Sequence, residues 1–197
     1  LDSVEEFADI LQVYNKYPLS ELIVHPRLQK EFYKGTPHRE AYALAREMLD
    51  CPLCYNGDIV SSDTLQGLMN DFPDLNTVMI GRGLLQRPWL LDILTPVSTS
   101  VSASGLSVDA TKKSTQAPLS SETLQNLQEF HNSLLEGYVK IMSGDQPTLF
   151  KMKDFWTFLM QSFPGYEKHL KKIRKANRIS EYKIAVRELF LTVSENM

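Results

Sequence analysis

The chain has 197 residues, 43% hydrophobic and 23% charged, with a net charge of −3. Such a composition builds a core in one domain or two small ones and excludes wholesale disorder. No apolar run approaches the roughly 18 residues that cross a bilayer, no signal-peptide pattern opens the chain, and Cys51 and Cys54 cannot staple a fold this size, so a cytoplasmic protein without membrane segments is expected.

Ser3 and Glu6 resemble a capping box, and Phe7, Ile10, Leu11 and Tyr14 follow at helical spacing up to a stop at Tyr17-Pro18. Leu22-Ile23-Val24 reads as a short, doubly buried strand that ends in His25-Pro26-Arg27. A polar stretch through Lys34-Gly35-Thr36-Pro37 leads to a helix from about His38 to Leu49. Pro52 to Tyr55 is the next strand, and Ser61 or Ser62 caps a helix through Leu65, Leu68 and Met69. Asn76 to Ile80 is the third strand, and Leu84 to about Leu94 the helix after it. Short strands alternating with longer helices predict a parallel sheet of βαβ units. Three strands cannot close a barrel and leave apolar edges, which is the signature of a fragment: the expected class is α/β, and if the sheet is a TIM (β/α)₈ barrel it is a partial one, with roughly the first half missing.

Residues 95–120 are rich in Ser and Thr and read as a linker or surface loop. From Ser121 onward the chain reads as helices. Leu127, Phe130, Leu134, Leu135 and Tyr138 share one side of the first. Further helices carry Phe150, Phe155, Phe158 and Leu159, then Tyr166 to Ala176, then Tyr182 to Phe190. A helical bundle over 121–197 is expected, after the half-barrel of 1–94.

Two turns carry the chemistry. Tyr55-Asn56-Gly57-Asp58 and Met79-Ile80-Gly81-Arg82-Gly83 each follow a strand and precede a helix. Glycines let backbone N–H groups approach an anion, and helix N-termini add partial positive charge. The loops after the seventh and eighth strands of a (β/α)₈ barrel commonly form a phosphate site. Either turn alone is an ordinary strand end; together they point to a phosphate-bearing cofactor, with Arg82 able to pair with it. His25 stands at the same rim, with Arg27 two residues on. Cys51 and Cys54 match Cys-x-x-Cys, but both enter a strand and read as buried structural thiols rather than a redox pair.

Between residues 151 and 178 lie Lys151, Lys153, Lys168, Lys171, Lys172, Arg174, Lys175 and Arg178, against only Asp154 and Glu167. This basic run, interleaved with Phe155, Trp156, Phe158, Phe163 and Tyr166, is either a solvated helix face over an aromatic core or a footprint for the RNA backbone. Charge alone leaves both open.

The order of Ile23-Val24-His25-Pro26-Arg27, Tyr33-Lys34-Gly35, Tyr55-Asn56-Gly57-Asp58-Ile59, Val78-Met79-Ile80-Gly81-Arg82-Gly83 and Pro88-Trp89 resembles the tRNA-dihydrouridine synthases. The resemblance is close over 1–94 and looser over the tail. It implies an FMN-dependent TIM barrel that reduces uridine to 5,6-dihydrouridine in tRNA with NADPH. Carried onto this chain, Asn56, Gly57, Asp58, Gly81 and Arg82 hold the phosphate and ribityl end of FMN, and His25 and Arg27 lie near the flavin. The basic residues of the tail contact tRNA. The family's catalytic cysteine and flavin-contacting lysine lie upstream of the strand carrying His25 and match nothing here. The chain is therefore expected to be the C-terminal half of a monomeric enzyme, inactive by itself. Two alternatives remain: another FMN barrel acting on a small molecule, and a non-catalytic RNA-binding protein.

Overall fold

A computed structural model describes residues 4–32, 34–99 and 119–197, with backbone only at Val4, Glu5 and 95–99. Ser3, Tyr33 and most of the Ser/Thr-rich stretch lie outside the described residues. Internal contacts divide the chain into two units, Leu1–Gly83 and Leu84–Met197.

The first unit alternates helix and strand: α1 (Val4–Tyr14), β1 (Leu22–Val24), α2 (Arg39–Met48), β2 (Leu53–Asn56), α3 (Ser62–Asp71) and β3 (Thr77–Met79). The strands are parallel in the order β1-β2-β3, with Val24 beside Tyr55 and Tyr55 beside Val78. Side chains of this row face the helices. Tyr42 of α2 lies edge-on to Tyr55 at 5.1 Å and to Phe72 at 5.0 Å, and Leu11, Ala45 and Leu68 complete the core. Ser61 starts α3, as expected, by accepting from the Thr64 N–H while Thr64 Oγ1 accepts from the Ser61 N–H.

The opposite sheet face is open at its outer strands. Ile23 is 45% and Met79 40% exposed, so the first strand is buried on one face rather than on both as its apolar run implies. Both outer strands are edges among the described residues.

The helix expected over 84–94 is two helices, α4 (Arg82–Gln86) and α5 (Leu90–Thr99). Pro88 removes an N–H and pushes Arg87 out of helical conformation, which breaks the run. The unit boundary falls within α4, earlier than residue 94, because the segment from Leu84 is tied to the helical core: Ser162 donates to the Gln86 carbonyl at 2.6 Å and Trp89 packs on that core.

The second unit continues with α6 (Ser121–Ile141), α7 (Asp145–Leu159), α8 (Glu167–Lys175) and α9 (Ile179–Glu195). Ser120 caps α6 through the Thr123 N–H. Gly144 before α7 and Gly165 before α8 have φ of +98° and +92°, which side-chain-bearing residues rarely adopt. Trp156, Met152, Leu159, Ile173, Tyr182 and Leu189 are fully buried at the centre. Phe150 is 70% exposed, and Leu149 takes the inward position instead.

Candidate functional site

Parallel pairing brings the ends of the three strands to one level. Asn56 is beside Met79, and its amide nitrogen reaches the Met79 sulfur at 3.3 Å. His25 follows β1 directly, and its Nδ1 lies 2.6 Å from the Asn56 carbonyl oxygen. A carbonyl oxygen only accepts, so Nδ1 is the donor of this contact. His25, Asn56 and Met79 thus form a row across the open sheet face, with His25 exposed.

Asp58 is the hub of the rim. Its Oδ2 pairs with Arg27, and its Oδ1 accepts from Arg82 Nη2 at 2.5 Å. Arg27 is almost fully buried at 3% exposure. It also donates to the carbonyls of Lys34 at 2.8 Å and Gly35 at 3.1 Å, which fastens the loop after β1. Among the described residues its Nε has no partner. Asp58 holds a φ of +41°, unusual for a side-chain-bearing residue, and this turns its carboxylate between the two guanidiniums. One carboxylate thus bridges two guanidiniums, with a third of the Arg82 side chain exposed.

The two glycines differ. A Cβ on Gly57 would stand 2.9 Å from the Tyr55 hydroxyl and 3.1 Å from Pro37 Cγ, so that turn is packed. A Cβ on Gly81 would meet nothing within 4 Å, so space opens beside the Arg82 backbone. The helix dipole invoked for the sequence contributes little here. The helix behind Gly81 has five residues, and the α3 start is capped by its own Ser61.

The site residues of the first unit come together as a cluster spanning β1, β2 and β3. Cys54 is 3% exposed and burial pushes its thiol up; Cys51 is half-buried and precedes β2 rather than lying in it. Among the described residues no group of His, Cys, Asp and Glu could hold a metal ion, and no helix is long and apolar enough to cross a membrane.

In the second unit the basic residues divide. Lys151, Lys168, Lys171, Arg174, Lys175 and Arg178 are exposed. Lys172 is also exposed but pairs with Glu188 at 2.6 Å, and this ammonium holds the Glu188 carboxyl below its usual range. Lys153 is half-buried and donates to the Ala176 carbonyl at 2.6 Å, satisfying the C-terminal end of α8. Of the interleaved aromatics, Trp156 and Phe163 are core residues, as a solvated helix face over an aromatic core requires.

Sequence reasoning missed His131. It sits on α6 midway between Leu127 and Leu135, a core position by spacing, and is 1% exposed. Trp156 donates to the Tyr182 hydroxyl at 2.8 Å, so that hydroxyl donates to His131 Nε2 at 2.6 Å. Burial pushes the His131 imidazole down to about 4, and the ring is neutral with its proton on Nδ1, 3.3 Å from Asn132 Oδ1.

A family model described as Dihydrouridine synthase (Dus) matches residues 2–182. The chain is 27% identical over 86 residues to tRNA-dihydrouridine synthase B of Pasteurella multocida, covering 44% of this chain and 26% of that protein. It is 34% identical over 71 residues to a probable tRNA-dihydrouridine synthase of Rhizobium leguminosarum, covering 36% and 22%. It is 32% identical over 71 residues to tRNA-dihydrouridine(16) synthase of Aquipseudomonas alcaligenes, again covering 36% and 22%. The matched stretch is thus about a quarter of the length of these relatives. With nearly its whole length matched by the family model, the chain belongs to the dihydrouridine synthase family.

Proposed function

We propose that this chain is the C-terminal half of a tRNA-dihydrouridine synthase that reduces the C5–C6 bond of uridine in tRNA, with FMN as cofactor and NADPH as reductant. The observation that carries this reading is the Asp58 bridge, which ties the ends of all three strands into one rim on a chain of this family. A phosphate fits the residues present: Gly81 leaves space, and Arg82 offers a partly exposed guanidinium beside its own N–H. FMN, when bound, supplies hydride transfer to the uracil ring.

Within that reading Gly81 and Arg82 take the phosphate, and Asn56 and Gly57 line the ribityl side. Asp58 repels a phosphate directly, so its part is to position Arg82, as Arg27 positions Asp58. His25 approaches the flavin from the end of β1. No residue of this chain is proposed as the proton donor to uracil, because Cys54 is almost fully buried.

The open sheet face supports the half-barrel reading of residues 1–94. Parallel sheets occur almost only with both faces covered, whereas here Ile23 and Met79 are exposed. The proposed partner of residues 121–197 is tRNA, held by the exposed cations Lys151, Lys168, Lys171, Lys172, Arg174, Lys175 and Arg178, with Lys153 bracing α8 from within. The target uridine leaves its stack to be reduced. The protein is proposed to act as a cytoplasmic monomer.

Flavin-fluorescence titration of the wild type against Asp58→Asn and Arg82→Ala tests the rim. Each substitution is expected to weaken FMN binding at least about tenfold, in line with the loss of one charge-assisted contact. Unchanged FMN affinity in both variants rejects the site. Residues 1–197 alone are expected to leave tRNA uridine unreduced by nucleoside mass spectrometry, and turnover by them rejects the half-barrel.

A further inference from the structure

Between α6 and α9 lies a cleft of about 260 Å³ whose walls are polar: Gln128, His131, Asn132 and Glu136 from one helix, Lys183 and Arg187 from the other. Leu135 and Val186 form its floor. This cleft shares no residue with the basic run of 151–178. Its cations stand four residues apart on α9, on neighbouring turns of one face, as do its two amides on α6. Lys183 and Arg187 are exposed.

His131 backs the cleft from the core. It is 1% exposed, its Nε2 is bonded to Tyr182 and its Nδ1 faces Asn132 Oδ1, so it orients the Asn132 amide rather than a ligand. Two cations, two amides and one carboxylate acceptor match the parts of a single nucleotide: a charged phosphodiester, then a sugar and base with both donors and acceptors. A purely electrostatic surface has no use for the neutral groups.

We propose that the α6–α9 cleft is a nucleotide-sized RNA contact, in which Lys183 and Arg187 hold a phosphodiester and Gln128, Asn132 and Glu136 take the attached sugar or base. The inference rests on the reading of this protein as a tRNA-binding one, and adds to it a second contact outside the basic helix. Glu136 is the acceptor suited to a ribose 2′-hydroxyl, which gives the contact a preference for RNA over DNA.

Fluorescence anisotropy with labelled tRNA tests it, using Lys183→Glu plus Arg187→Glu, Gln128→Ala plus Asn132→Ala, and Lys171→Glu plus Lys175→Glu as the reference for the basic helix. The altered side chains border the surface, and matched melting curves check folding. The first pair is expected to weaken binding at least about tenfold and to lower the salt slope by about one to two. The amide pair is expected to weaken binding roughly three- to tenfold with the salt slope unchanged, as loss of neutral hydrogen bonds does. Acylation of Lys183 by an amine-reactive reagent, read by mass spectrometry on the wild type, is expected to fall when tRNA is added.

Wild-type binding by both α6 and α9 variants, while the Lys171/Lys175 variant binds poorly, overturns the inference and leaves the RNA reading standing. Loss confined to the cation pair also overturns it, because a bare basic surface behaves so. Undiminished acylation of Lys183 in the tRNA complex does the same. Failure of the wild type to bind tRNA overturns both readings.

Discussion

The two units spend their polar groups differently. In the helical unit the principal buried polar chain, Trp156 to Tyr182 to His131, is hydrogen-bonded along its length within the core. In the strand unit the corresponding cluster, Arg27, Asp58 and Arg82, lies at an edge, with a third of Asp58 and of Arg82 exposed and one Arg27 nitrogen unpartnered among the described residues. A closed network specifies how a core packs, whereas a partly exposed one at strand ends leaves charged groups within reach of a ligand. This contrast is why the rim, rather than the bundle centre, is proposed as the cofactor site.

The contrast is broken most severely at the centre of the bundle. Trp156→Ala removes a fully buried indole and the donor to Tyr182, and is expected to destabilise the helical unit by about 3–5 kcal/mol, measured by urea unfolding. A loss under about 1 kcal/mol shows that the network is not the keystone of this core.

Acid sharpens the comparison next. His131 is held near 4 when folded and returns to its ordinary value of 6.5 when unfolded, so between these values the unfolded chain binds the proton that the core refuses. Stability is therefore full above pH 6.5 and falls as pH drops toward about 4, by on the order of 2–3 kcal/mol. The His131→Gln variant, followed by thermal melting across that range, is expected to lose most of this dependence. A slope as steep as wild type assigns the acid sensitivity elsewhere.

The smallest effect separates the two glycines. Gly57→Ala meets Tyr55 and Pro37 and is expected to cost about 1–2 kcal/mol, whereas Gly81→Ala is expected to change stability by no more than about 0.5 kcal/mol while still weakening FMN binding. Equal destabilisation by both, in parallel chemical melts, removes the distinction between a packed turn and an open one.

The strand–helix alternation was legible because each apolar run was short and flanked by turn residues, and because Ser61 and Ser120 announce their helices locally. What escaped depended on partners distant in sequence. Asp58 reads as a turn residue until Arg27, 31 positions away, is found against it. Lys153 reads as one more cation of a basic run, yet it ends α8 through Ala176, 23 positions on. His131 was hidden for the opposite reason, since a polar residue at a perfect core spacing shows its partner only once α9 has folded against α6. The break at Pro88 was available locally, through the missing N–H, and a single helix across it was never compatible with that residue.

One carboxylate serves two guanidiniums through different oxygens, so Asp58 joins the segment after β3 to the carbonyls of Lys34 and Gly35 that Arg27 clamps. Loss of that single carboxylate is then expected to loosen two places at once, the Arg82 guanidinium and the 34–35 segment, although they are far apart in the chain.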